Sequence, residues 1–197
     1  MYKAAKKCLR YVFVIPVSFK LRRISDMYYI SKYNSPLGGI TVASDGEALS
    51  GLWFDGQKYF ADRLNKKESG EQSTDGLKVP VLKETEKWLD IYFSGKIPDF
   101  TPDLNLNGVS SFRKRVWKIL LKIPYGKLTT YGQIAKKIEA ETGKRVSAQA
   151  VGGAVGHNPI SLIVPCHRVV GANGGLTGYA GGLDKKTFLL KLEGSIK

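Results

Sequence analysis

The apolar residues of this 197-residue chain keep one spacing up to a proline-broken stretch and another beyond it, and that change narrows the folds open to it. Residues 28–33, 40–44 and 48–54 are short runs rich in β-branched and aromatic residues, separated by turn residues at 34–39 and by Asp45-Gly46. They predict a small antiparallel sheet. Residues 57–64 suit a short helix and 66–76 a polar loop, while 79–93 place Val81, Leu82, Trp88, Leu89 and Tyr92 on the inner face of a longer helix. Gly95, Pro98 and Pro102 then break the chain, and 99–108 reads as a linker. Beyond it the period is helical. Ser110 or Ser111 caps a helix carrying Val116, Ile119, Leu120 and Ile123, which Pro124-Tyr125-Gly126 ends. Thr130-Tyr131-Gly132-Gln133 has the form of a capping box opening a second helix over Ile134, Ala135 and Ile138. A third helix runs from Ser147 to about His157, before Pro159. The expected class is α+β in two small domains, 27–107 and 108–197, behind an extension at 1–26.

Charge divides along the same line. The formal net charge is +14, of which 1–26 hold +6, 27–107 hold −3 and 108–197 hold +11. A basic C-terminal part joined to a mildly acidic one suits a polyanion partner, most simply nucleic acid; a merely solubilising basic face is the plainer alternative. With 43% hydrophobic and 24% charged residues the chain can bury a core, and it contains no apolar run near the ~20 residues that cross a bilayer. The basic start and short apolar stretch of 1–26 imitate a secretory signal. Pro16 interrupts that stretch, however, and Lys20, Arg22 and Arg23 stand where a small-residue cleavage site belongs, so no function is drawn from it. Two cysteines and two histidines, scattered, fit neither a disulfide framework nor a structural zinc site. A reducing compartment, no metal and no cofactor are expected.

The helix opening at 130–133 and the one over 147–157, joined by a turn-bearing segment at 139–146, form a helix-turn-helix pattern whose second member would face nucleic acid. That helix contains Gly152 and Gly153, each worth about 1 kcal/mol against helix formation. Either another helix packs closely there, or a small-residue face must enter a groove. With no long basic side chains to read base edges, minor-groove insertion is the better form of the second reading.

A buried-looking strand at 160–164 leads into Pro165-Cys166-His167-Arg168. A lone cysteine is usually a small core residue. This one follows a proline at a strand end and has a base and a cation beside it, the setting of an activated thiolate. Cys8 has no such company.

Ile163-Val164-Pro165-Cys166-His167-Arg168-Val169, with Tyr179-Ala180-Gly181-Gly182-Leu183 and Leu189-Leu190-Lys191-Leu192-Glu193-Gly194, closely resembles the O6-alkylguanine-DNA alkyltransferases, the methylated-DNA–protein-cysteine methyltransferases. The resemblance is continuous over 111–194 and weaker from Met27 through the small sheet. It implies an N-terminal ribonuclease H-like antiparallel sheet with a helix, and a mainly helical, winged-helix-like C-terminal domain carrying DNA binding and the active site. It further implies that Cys166 takes an alkyl group from O6 of guanine, or from O4 of thymine, in one irreversible transfer. Such chemistry needs the nucleotide flipped out of the duplex. In the family's roles, His167 takes the thiol proton through a water and Glu193 orients His167. Asn158 holds the turn between recognition helix and active-site strand, and Tyr131 helps rotate the nucleotide and protonate the departing guanine. Tyr179, Ala180, Gly181 and Val164 would bind the base; Ala148, Gln149, Gly152, Gly153 and Arg168 would meet DNA. Gln149 departs from the pattern, standing where many members carry an arginine that fills the gap left by the flipped base. The zinc set of some relatives is missing.

Two other functions use the same raw material. A non-enzymatic alkylation-damage-binding protein needs the helix pair but neither Cys166 nor Glu193. A cysteine hydrolase needs the Cys-His pair but leaves the basic C-terminal part unexplained. The alkyltransferase reading predicts a cytoplasmic monomer whose partner is double-stranded DNA containing O6-alkylguanine.

Overall fold

The computed structural model describes residues 28–62, 64 and 79–197. The extension 1–26 and the polar loop 66–76 lie outside the described residues. The N-terminal half is an antiparallel meander, β1 (Tyr29–Ser35), β2 (Gly38–Ser44) and β3 (Leu49–Phe54), in that spatial order. Gly38 closes the first turn at φ +98°, a conformation that L side chains rarely adopt. Helix α1 (Pro80–Phe93) starts on a proline at its first turn, where no N–H is needed, and buries Val81, Leu82, Thr85, Trp88, Leu89 and Tyr92.

An open edge of β3 would be a template for unwanted pairing, and both halves of the chain cover it. Leu49 N–H donates to Asp103 O at 2.7 Å and Asn105 N–H to Leu49 O at 2.9 Å, so the linker lies along the strand's start. Leu52 N–H donates to Pro159 O and Ser161 N–H to Leu52 O, each at 2.8 Å, so the segment leading to Cys166 lies along its end. Every residue of β3 is therefore buried.

In the C-terminal half, α2 (Ser111–Leu120), α3 (Tyr131–Thr142) and α4 (Ala148–Gly156) pack together, and α5 (Leu183–Leu192) closes the chain. The starts of α2, α3 and α4 are capped as the sequence suggests. Ser110 and Ser147 accept from Arg113 and Ala150 N–H, and Thr130 with Gln133 forms the reciprocal box. A short parallel pair, β4 (Thr129–Thr130) with β5 (Val169–Val170), ties the start of α3 to the residues after Cys166. Trp117 donates its indole N–H to Ala154 O at 2.9 Å, fixing α4 on α2. One apolar core runs through both halves, from Ile40 and Leu89 to Val116 and Val151.

Two expected elements are absent. The described residues of 57–64 form turns, not a helix, because Tyr59 and Ala61 sit at φ +59° and +56°, outside the right-handed helical region. The strand expected at 160–164 is a buried turn with Leu162 at φ +69°. Its apolar run reflects burial alone, and a single bridge from Ile160 to Leu52 is its one β-feature.

Candidate active site

Cys166 opens a single 3₁₀ turn, Cys166–Arg168, placed by Pro165 and by a Cys166 N–H to Val164 O hydrogen bond of 2.7 Å. The thiol is buried, 4% exposed. Asn158, just past α4, donates its amide to Val164 O at 2.8 Å, to Ile160 O at 3.2 Å and to Cys166 Sγ at 3.1 Å, while its Oδ1 accepts from Ile160 N–H. One side chain thus joins the end of α4 to the sulfur. Burial pushes the Cys166 thiol above its ordinary pKa, against the opposing pull of the Asn158 amide and the nearby Lys186 ammonium. The resting site holds a thiol.

His167 is fully buried, with Nε2 2.8 Å from Glu193 Oε1. Burial lowers its pKa despite that carboxylate, so the imidazole is neutral. Burial alone would raise Glu193, yet the hydrogen bonds from His167 and Arg168 hold it at about 2. An ionised Glu193 only accepts, which puts the imidazole proton on Nε2 and the lone pair on Nδ1. Nδ1 is buried and makes no hydrogen bond among the described residues. A base nitrogen beside the cysteine, oriented by a third group, is what activation of a thiol requires.

The loop after β5 closes over this centre. Tyr131, the first residue of α3, donates its hydroxyl to Thr177 O at 3.2 Å. Tyr179 stands edge-on to His167, ring centroids 6.5 Å apart, with its hydroxyl buried. Ala180 O accepts from Lys58 N–H at 3.0 Å, so the N-terminal half touches the loop directly. Gly181 has no room for a side chain: a Cβ there would lie 2.9 Å from the Tyr179 ring and 3.2 Å from Phe54. Val164 is fully buried and offers its carbonyl to Asn158 and Cys166.

On α4, Ala148, Gln149 and Gly153 are exposed and Gly152 half-buried. A Cβ at Gly153 would meet nothing within 4 Å, and one at Gly152 would make only ordinary contact with Tyr131 at 3.9 Å. Internal packing therefore does not demand these glycines. What they provide is a smooth outer face.

The family described as "6-O-methylguanine DNA methyltransferase, DNA binding domain" matches residues 111–195, and "6-O-methylguanine DNA methyltransferase, ribonuclease-like domain" matches 27–107. The chain belongs to this methyltransferase family. Among its relatives are the methylated-DNA–protein-cysteine methyltransferases of Methanosarcina acetivorans, 44% identical over 86% of this chain and 99% of the relative, and of Mycobacterium tuberculosis, 41% identical over 86% and 94%. The solved O6-methylguanine methyltransferase of M. tuberculosis superposes with a TM-score of 0.69 at 41% identity, covering 86% of this chain and 94% of that one. A crystal structure of the M. tuberculosis protein in complex with DNA gives 0.68 at 39% identity, covering 85% and 92%.

Within this methyltransferase fold, Arg168 is not where the sequence suggests. Expected among the DNA contacts, it is 8% exposed, donating Nε and an NH₂ group to Glu193 at 2.8 and 2.9 Å and its other NH₂ group to Ile123 O at 2.6 Å. Those bonds leave it no reach to a phosphate. Three further residues escape the sequence reading. Tyr92 of α1 donates to Glu193 Oε1 at 2.8 Å, and Gly126 N–H donates to Oε2 at 3.2 Å. Lys186, fully buried on α5, donates to Val169 O and Thr177 O at 2.6 and 2.9 Å, and burial lowers its pKa to about 8. The polar tip of Tyr92 on a core face is the one available signal, since a buried phenol needs a partner.

Proposed function

We propose that this chain repairs DNA by moving an alkyl group from O6 of guanine to Sγ of Cys166, once per molecule. The buried Cys166, His167 and Glu193 constellation directly behind a smooth-faced helix carries this reading, in a chain of the methyltransferase family. Its basic C-terminal half attracts phosphates without choosing sequence, α4 enters the minor groove through Ala148, Gln149, Gly152 and Gly153, and the damaged nucleotide flips into the loop around Tyr179. Val164, Ala180 and Gly181 contribute backbone groups and shape to that pocket. The thiol proton passes through a water to His167 Nδ1, the S–C bond forms, and the C–O6 bond breaks. Tyr131 gives the departing guanine a proton at N3, so that it leaves neutral; burial raises the pKa of this phenol and keeps it protonated until then. No resident metal or cofactor enters any step. The protein acts as a cytoplasmic monomer, and no helix among the described residues is long and apolar enough to cross a membrane.

The test is one incubation of the protein with duplex carrying O6-methylguanine, followed by intact mass and peptide mapping. The expected result is a gain of one methylene on the Cys166 peptide, saturating at one equivalent. No gain with the wild-type chain overturns the assignment, and binding without a gain points to a damage-binding protein.

A further inference from the structure

The His167–Glu193 pair lies in the C-terminal half, but one of the groups holding it comes from the N-terminal half. Tyr92, in the last turn of α1, is fully buried, and its ring is stacked on Trp88 with centroids 5.1 Å apart and planes 10° from parallel. Its hydroxyl reaches Glu193 Oε1 at 2.8 Å and lies 3.4 Å from His167 Nε2. Oε1 also receives His167 Nε2–H and an Arg168 NH₂ group, while Oε2 receives Arg168 Nε–H and Gly126 N–H. Packing alone would be served equally well by phenylalanine. The hydroxyl has a specific place, on the same carboxylate oxygen that holds the imidazole.

We propose that Tyr92 is a positioning residue of the proton relay: its hydroxyl shares Glu193 Oε1 with His167 and so sets how strongly the carboxylate holds the imidazole. This rests on the reading of Cys166, His167 and Glu193 as the transfer machinery. A phenol donating to Oε1 draws charge density from that oxygen and weakens its pull on the His167 proton. Without the phenol, the carboxylate stabilises the imidazolium more, and His167 becomes a stronger but less readily neutral base. The groups facing His167 are Lys186 from α5 and Glu193 just past its end, Arg168 and Cys166 from its own turn, Tyr92 from α1 and Tyr179 from the pocket loop. Of these, Tyr92 alone comes from the N-terminal half. The relay is therefore complete only when that half is docked.

The experiment measures single-turnover methyl transfer from duplex O6-methylguanine against pH for wild type and Tyr92→Phe, with Trp88→Phe as a packing control. Tyr92→Phe should move the acid limb of the rate profile to higher pH by about one unit, the effect of losing one charged hydrogen bond, with duplex affinity unchanged. Trp88→Phe should lower the melting temperature and leave the limb in place. In a Glu193→Gln background, Tyr92→Phe should add nothing. A limb at the parental pH in a folded Tyr92→Phe overturns the proposal. Should that variant not fold, 3-fluorotyrosine at position 92 retains the ring and strengthens the donor, and must move the limb to lower pH; no movement overturns the proposal. If the wild-type chain transfers no methyl group, it is the reading of the site that fails, not the role of Tyr92 within it.

Discussion

Replacing Arg168 by methionine separates its two possible employments, because a buried partner of Glu193 and a phosphate contact leave different traces. Methionine keeps much of the side-chain volume beside Tyr125, over whose ring the guanidinium sits at 5.7 Å. It removes both hydrogen bonds to Glu193 and the one to Ile123 O. Breaking one side of a buried ion pair costs about 3–5 kcal/mol. The carboxylate gives a second route to the same size: a fall from 4.5 to about 2, at about 1.36 kcal/mol per pKa unit, is about 3 kcal/mol, to which His167 also contributes. The sign follows from the direction of that shift. A depressed carboxylate contributes stability that is present above its unfolded pKa and lost as pH falls from about 5 toward about 2. Urea unfolding followed by tryptophan fluorescence should show Arg168→Met less stable by about 3 kcal/mol at pH 7, with a shallower loss between pH 5 and 3 than the parent. Affinity for undamaged duplex, titrated with salt, should keep the parental log–log slope, whereas a lost phosphate contact would lower it by about 0.9. A destabilisation below about 1 kcal/mol with a flattened salt slope would refute the buried role and return Arg168 to the DNA surface.

Two other substitutions test neighbouring features. Gly126→Ala places a Cβ 2.9 Å from Glu193 O at a backbone φ of +72°, and should cost about 1–3 kcal/mol in thermal or urea unfolding while slowing alkyl transfer; parental stability would show that the loop relaxes freely. Gln149→Arg, on the exposed start of α4, should tighten binding to alkylated duplex and speed transfer in a stopped-flow assay. Parental affinity and rate would mean that position 149 does not fill the gap left by the flipped base.

Periodicity and caps made the three strands, α1 and the three C-terminal helices legible, because these depend on local burial patterns and local hydrogen bonds. Residues 57–64 escaped the same logic. Their positive φ values at Tyr59 and Ala61 are imposed by docking, with Lys58 N–H bonded to Ala180 O and the Tyr59 ring stacked on His157 at 4.0 Å. Nothing in the local sequence announces contacts a hundred residues away. The run at 160–164 misled for a related reason: an apolar stretch records burial, and a buried turn whose backbone bonds go to Asn158 and Leu52 reads like a strand. At the site, Cys166 and His167 stand out in the sequence as a thiol beside a base, whereas Glu193 comes only with the family resemblance; the fold sets its carboxylate 2.8 Å from His167. Arg168 was misplaced because a basic residue in a basic domain looks like a phosphate contact until its burial is seen. Tyr92 and Lys186 look like a core aromatic and a surface lysine, and only the fold brings them to the relay.

The depth at which Cys166 is kept has a consequence for a protein that can act once. A reagent consumed by its first reaction must survive intact until the right molecule arrives, and an exposed thiolate would be spent on any passing electrophile or oxidant. Here the sulfur is 4% exposed, pinned by Asn158 and held in its unreactive protonated form by burial. Small alkylating agents in the surrounding water therefore meet a closed and chemically quiet site. The same burial that delays activation gives the molecule a shelf life.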